Sequence, residues 1–573
     1  MTAQTEEAER ADRTRRSHFR ELARGGAIGL VGSAVAALAG FLLTVVVARV
    51  LGPAQTGVFF TVVALFMILT EITELGADTG LVRSTARLRA LGRVGDLRRV
   101  VVAALVPVLA VGTVTGLAVF ALAPWLAGLL VDAAHRDDAV FLLRVCGPVL
   151  AVSAARNVAL SGTRGMGSLA AFTVQANVIT PLSRPVLVIT VAALGYGAGG
   201  VMVAWSLPIA LTFVAAVVIL WRLVRRTEAE EYAAAPVRSA ASRASGDETR
   251  APAGLDASRA AGAETRAPVS PAEPGATGGV PVLPGPEDPS AVREFWTFSG
   301  LRGVAAMLEI VVVWLGVPLV SAMVSSHDAG IYATAGRFIT TGTLVLAATR
   351  LAVAPQIAGL LARGETRQAE DLNAVATGWI VAASWPLYLA LAVFGPFVLT
   401  LFGTDFRGGA GAMAILASAM ALVLATGNVQ TVLLMGGKSS WNLLDKAVVV
   451  VVMVVLHLLL VPPFGIIGAA VAWGVSMLVD NLLAVVQVRY LMGLRLRTRT
   501  LAPVGAWALV WFGALGVALR ALLGTGLPVF AAYVVLATCG YGAVLWRLRH
   551  VLHADVMFEA LRSRGRADEK EEG

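Results

Sequence analysis

Long apolar runs separated by short polar joints occupy almost the whole chain, and within each run apolar residues follow one another without the alternation of a half-buried strand. Runs of about 20 residues suit helices that cross a bilayer. Lipid offers backbone groups no partner, so only helices or closed barrels can span it. The pattern predicts an all-α integral membrane protein with about fourteen spanning helices. They fall near 27–48, 57–79, 100–124, 140–162, 170–194, 200–224, 298–322, 331–355, 375–401, 411–435, 443–462, 466–489, 501–522 and 527–546.

The joints repeat. Tyr196-Gly197-x-x-Gly200-x-x-x-Ala204-Trp205 enters the sixth run, and Phe464-Gly465-x-x-Gly468-x-x-x-Ala472-Trp473 enters the twelfth. Likewise Gly57-Val58-Phe59 opens the second run and Gly330-Ile331-Tyr332 the eighth. Six helices per repeat is an even number, so the two lobes share an orientation. They are expected to be related by a pseudo-two-fold axis along the membrane normal, with two extra helices after them.

Composition agrees: 57% of the 573 residues are hydrophobic and 14% charged, against about 25% charged in soluble domains. A net charge of +9 could serve nucleic acid or anionic lipid, and its placement decides for lipid. Arginines crowd alternate joints, including Arg10–Arg24, Arg87–Arg99, Arg363, Arg367 and Arg495–Arg499. The positive-inside rule then puts both termini in the cytoplasm and leaves no role for nucleic acid. Cys146 and Cys539 lie in separate apolar runs and read as small core residues. The expected organisation is a basic tail (1–25), an N-lobe (26–226), a linker (227–292), a C-lobe (293–492), a final helix pair (493–550) and a charged tail (551–573). The linker is Ala-, Pro- and Gly-rich, a composition too poor in large apolar residues to order itself, so disorder is expected.

Ala48-Arg49-Val50-Leu51-Gly52-Pro53, closing on Gly57, resembles the Ala-Arg-x-Leu-Gly-Pro-x-x-x-Gly motif of bacterial polysaccharide flippases. These form the polysaccharide transporter branch of the multidrug/oligosaccharidyl-lipid/polysaccharide exporter superfamily. Gly80-Leu81-Val82-Arg83, Leu401–Phe406, Leu434–Lys438 and Pro463–Ala470 are similar to further signatures of that family. The resemblance spans about 26–492. It implies two lobes around a central cavity in a bacterial cytoplasmic membrane. It also implies transfer of a polyprenyl-pyrophosphate-linked oligosaccharide from the inner to the outer leaflet, with no cofactor. The two additional helices resemble those of lipid II flippases, which leaves the glycan open.

Charges within spanning helices are rare and face cavities or partners, so they mark the candidate site. Arginine suits a diphosphate because its fork bonds two phosphate oxygens at once. Arg156, Arg184 and Arg302 are expected to line the cavity, with Arg83 and Arg350 at its cytoplasmic mouth, where reaching for headgroups is the rival role. Glu71, Glu74 and Asp78 are spaced i, i+3, i+7 and predict one acidic face on an unbroken second helix. With Glu309 and Asp480 they either balance the arginines or bind a coupling H+ or Na+. Arg49 reads as an interfacial anchor, and Trp205 and Trp473 as interfacial or packing residues. Pro181 and Pro185 flank Arg184 and suggest a helix interrupted beside that charge.

Three rivals remain. A membrane glycan polymerase could use Asp137 and Asp138, though every outer loop is short. A multidrug exporter fits the fold but not the cationic cavity. A P-loop ATPase is disfavoured because Val432 stands where Gly437-Lys438-Ser439 would need the first glycine. A single copy of the chain is the default assembly.

Overall fold

The computed structural model describes residues 2–247, 289–436, 439–495 and 501–549. Among them the chain is helical throughout. The first half comprises α1 (Thr2–Glu74), α2 (Ala77–Ala90), α3 (Gly95–Leu130), α4 (Arg136–Gly165), α5 (Leu169–Thr173), α6 (Thr180–Ala193) and α7 (Ala198–Asp247). The second comprises α8 (Pro289–Trp314), α9 (Gly316–Met323), α10 (Ser326–Ala362), α11 (Thr366–Val398), α12 (Ala410–Leu424), α13 (Val429–Met435) and α14 (Ser439–Leu491). Then follow α15 (Leu501–Ala508), α16 (Leu515–Leu523) and α17 (Leu527–Arg547).

Eleven helices among the described residues are long and apolar enough to cross a membrane, or up to 12 if one bent pair counts as a span. Fourteen crossings would require the bent pair to count as a span and the two longest helices to cross twice. Each of these, Val31–Ala90 and Ser440–Leu491, is broken inside at a glycine of positive φ: Gly52 at 71° and Gly465 at 55°. A side chain resists that backbone conformation, so glycine there makes the reversal possible. Gly465 falls in the Phe464–Trp473 joint, and Gly52 lies in the Leu51–Pro53 turn ahead of Gly57.

Two differences from the sequence expectation bear on the site. First, the acidic helix is not continuous. α1 ends at Glu74, Leu75 and Gly76 adopt φ values of 53° and 70°, and α2 restarts before Asp78. Asp78 therefore stands on a new helix, yet it stays within electrostatic range of Glu71 and Glu74. The turn lets the Gly76 backbone pack directly against Ser299 and Gly303 of α8, where any Cβ would collide. Second, the helix around Arg184 is widened rather than broken: Val174–Ile179 forms a π-helical turn just ahead of Pro181.

The expected linker, 227–292, is helical as far as Asp247 and again from Pro289, consistent with its many helix-favouring Ala, Glu and Arg residues; 248–288 lies outside the described residues. The charged tail (551–573) and Lys438 also lie outside them. Buried apolar clusters hold each half together, one around Phe59, Phe66 and Trp205, another around Tyr388, Phe394 and Phe402. α17, through Tyr533 and Tyr541, and the π-helical turn after α15, through Phe512, pack on the second half.

Candidate functional site

Arg156 is 7% exposed and fully engaged. Its Nε donates to Thr212 Oγ1 of α7 (2.7 Å), its Nη2 to Thr180 Oγ1 of α6 (2.7 Å) and its Nη1 to Asn157 Oδ1 (3.1 Å). Asn157 in turn donates to Glu74 Oε1 at 2.8 Å. The π turn matters here, because the Thr180 hydroxyl donates back to the Gln175 carbonyl and so presents its oxygen to Arg156. Arg184 lies one step further along α6. Its guanidinium sits 4.2 Å from the Trp205 ring centroid, and Nε donates to the Trp205 carbonyl at 3.1 Å. Trp205 is 2% exposed and packed edge-on to Phe59 and Phe66, so it is a packing residue that also faces a cation.

Sequence reasoning missed a third member. Arg337 of α10 comes within electrostatic range of Arg184, as does Arg156. Its Nε donates to Thr44 Oγ1 of α1 (2.9 Å), and its guanidinium lies 5.6 Å from the Phe60 ring and 5.9 Å from the Trp314 ring. The signal was present, since Arg337 falls inside the predicted 331–355 span. Three arginines from α4, α6 and α10 thus converge where the two halves meet.

The carboxylates continue from Glu74, which lies within electrostatic range of Arg156 on one side and of Glu71 and Asp78 on the other. Glu71 interacts electrostatically with Asp78, Glu309 and Arg302, so residues of α1, α2 and α8 share one region. Beside it, a cavity of about 900 Å³ is lined by Arg83, Arg293, Glu294 and Arg302. Arg83 stacks 4.2 Å from the Phe298 ring, and Arg87 pairs with Glu294 across the α2–α8 contact. The structure therefore brings Arg83 and Arg302 together, and separately Arg156 and Arg184; Arg350 is exposed on α10, outside both groups. Asp480 belongs to neither. It is buried in the second half, accepting from Lys446 (2.7 Å) and Gln430 (2.6 Å), the arrangement of a balanced charge. Lys446 itself is only 8% exposed.

Residues 22–239 match the family model described as polysaccharide biosynthesis protein. The resemblance to the polysaccharide flippases holds. Among solved structures the chain is similar to the lipid II flippase MurJ in an inward closed conformation, with TM-score 0.62 and 10% identity over 91% of this chain and 99% of that one. It is also similar to an inward-facing multidrug resistance MATE family transporter of the MOP superfamily, with TM-score 0.59 and 15% identity over 82% and 99%. The MATE transporter DinF-BH gives 0.53 and 17% over 83% and 97%. At such identities the likeness is one of fold. No curated protein matches the chain.

Contacts between the halves near the Gly52 turn close one end of the molecule. The Gly57 and Gly330 backbones cross so closely that a Cβ on either would strike a carbonyl, of Ser326 or Pro53 respectively. Arg49 is more than an interfacial anchor: its Nε and Nη2 donate to the Leu401 (2.8 Å) and Thr400 (3.1 Å) carbonyls of the other half. Asp132, between α3 and α4, accepts the Ser326 backbone N–H at the start of α10 (3.0 Å), while His135 Nδ1 lies 2.7 Å from its other oxygen.

Burial works against the Asp132 charge, but the His135 and Ser326 hydrogen bonds outweigh it, so the carboxyl is held below its ordinary value. A depressed value means that the contact stabilises closure above the ordinary carboxylate range, near 3.9, and is lost as pH falls through the lowered one. Acidification below about pH 4 is therefore expected to expose this end to aqueous labels. Asp132→Asn should remove that pH dependence; an unchanged acid response in the variant would assign it to another group.

Proposed function

We propose that the protein is an alternating-access flippase carrying a polyprenyl-pyrophosphate-linked oligosaccharide from the inner to the outer leaflet of the bacterial cytoplasmic membrane. The supporting observation is the placement of arginine. One group (Arg83, Arg293, Arg302) lines a cavity on the arginine-rich face, and a second (Arg156, Arg184, Arg337) lies deeper, where the halves meet. A diphosphate entering from the cytoplasm would meet the first group and then the second, passing from one set of bidentate donors to the next. The Gly52 end is the external end in this orientation, and both termini are cytoplasmic. The basic face also suits the anionic lipids of the inner leaflet.

The potential gives the direction. Two negative charges leaving an inside-negative cell gain roughly 2.3 kcal/mol each per 100 mV. An empty cationic site is drawn back inward by the same field, so the carrier resets without a coupling ion. Glu309→Gln is accordingly expected to keep most of its transport. Loss of transport in that variant would establish a titrating carboxyl and with it H+ or Na+ coupling.

The decisive experiment is depletion of the protein while lipid-linked glycan is followed at each leaflet. Accumulation inside is expected. Unpolymerised glycan outside would instead indicate a polymerase, although Asp137 and Asp138 occupy the first turn of α4, where acids simply favour a helix start. The paired helices α16 and α17 favour lipid II as a second cargo, since a solved lipid II flippase covers 91% of the chain. Arrest of peptidoglycan synthesis on depletion would select it.

A further inference from the structure

A second large cavity lies beside the arginine cavity described above and shares Arg293 with it. It measures about 1120 Å³ and opens between the start of α3, the extension of α7 and the start of α8. Its lining is graded. Arg98 and Arg99 of α3 and Arg293 of α8 stand toward one end, opposed by the single carboxylate of Glu228 from α7. Further along α3 come Val102 and Val106, which are 42% and 57% exposed, with Trp296 of α8 on the facing wall. Arg98, Val102 and Val106 follow at intervals of four, so charge and apolar surface share one helix face over about 12 Å. The α3 N-terminus at Gly95 also borders the cavity and adds its positive dipole to the cationic end.

Water alone has no use for such a gradient. A molecule with an anionic head and an acyl chain matches it in charge, length and direction. We propose that this crevice binds one anionic phospholipid of the inner leaflet, its phosphate on Arg98 and Arg293 and its chain along Val102 and Val106. α3 and α7 belong to the first half and α8 to the second, so the bound lipid bridges the halves. Arg293 also lines the arginine cavity of the proposed transport path, so occupancy of the crevice bears on that path from outside it. The lipid then acts as a clamp that holds α8 against the first half.

The site rests on the cytoplasmic orientation proposed above only for its physiological leaflet; binding itself is measured without reference to sidedness. The full chain, solubilised in detergent, is offered an equal mixture of phosphatidylglycerol and phosphatidylcholine, and retained lipid is read by mass spectrometry of the intact complex. Preferential retention of phosphatidylglycerol is expected. Arg98→Gln with Arg293→Gln should weaken it roughly thirtyfold, the factor for losing two cations near an anionic headgroup. Arg98→Lys with Arg293→Lys should retain most of it, which shows that the positions tolerate change. Arg226→Gln, an exposed arginine on α7 outside the crevice, should leave it intact.

Equal retention of both lipids, or equal loss in Arg226→Gln and the double variant, overturns the site. Displacement by inorganic phosphate would make it a small-anion site, and retention of a polyprenyl diphosphate in place of phosphatidylglycerol would make it part of the transport path; either result also overturns the proposal. Absence of inner-leaflet accumulation in the depletion experiment, with phosphatidylglycerol still retained by the purified chain, bears on the flippase function alone.

Discussion

Arg156→Ala is expected to cost the protein its fold, whereas Arg184→Ala is expected to cost only its transport. The two residues lie in one basic group but are held differently. Arg156 ties α4 to α6 and α7 through three side-chain hydrogen bonds, and through Asn157 it faces a Glu74 that is 3% exposed. Removing one member of a buried charged network strands the other, at about 3–5 kcal/mol. That is a large share of the stability of a typical protein. Among the described residues Arg184 has only the Trp205 carbonyl and ring as partners, so its loss strands no charge there. What it does lose is a phosphate contact of about 1.5–3 kcal/mol, or roughly 10- to 100-fold in transport. Chromatographic dispersity of the purified variants separates the two outcomes, with leaflet accessibility of the glycan as the second readout. A well-folded Arg156→Ala, or an Arg184→Ala that transports normally, would refute the assignment of roles.

The second large effect is at the Gly57–Gly330 crossing. Gly330→Val places a branched side chain against the Pro53 carbonyl, which cannot move without shifting the start of the next span. Overpacking of this kind costs about 1–3 kcal/mol, and only closure has to bear it. The halves should therefore stay apart at this end and the carrier stall. Thr56 is 0% exposed in the closed form, so a cysteine there, in a chain lacking Cys146 and Cys539, reports the change. Its labelling by a membrane-impermeant maleimide should rise roughly 5- to 150-fold in Gly330→Val. Gly40→Ala, whose Cβ meets open space, serves as the silent control. Unaltered labelling would show that the crossing does not set closure.

Much of the architecture was legible because the signals are local. Apolar runs of about 20 residues and glycine-marked joints need no knowledge of the partner helix. The break at Leu75–Gly76 was hidden, since acids at i, i+3, i+7 suit a continuous helix and only the approach of Gly303 from α8 explains the turn. For the site, rarity of intramembrane charge pointed to Arg156 and Arg184, and the same rule applied evenly would have found Arg337. It could not show which charges meet. Arg337 reaches Thr44 across 293 positions, and Lys446 reaches Asp480 only because α14 folds back at Gly465. Such pairings are set by how helices dock, which a window of sequence does not contain.

The grip of Arg49 on the opposite half has a genetic corollary. It takes hold of main-chain oxygens at Thr400 and Leu401, and every amino acid supplies those. Mutational drift at 400 and 401 can therefore proceed without disturbing it, provided the short 3₁₀ turn Leu399–Leu401 keeps its shape. The arginine itself has no substitute, because lysine lacks the planar fork that serves two carbonyls together. A deep mutational scan should thus find an intolerant residue at position 49 facing a tolerant stretch, with no compensating mate anywhere in the chain.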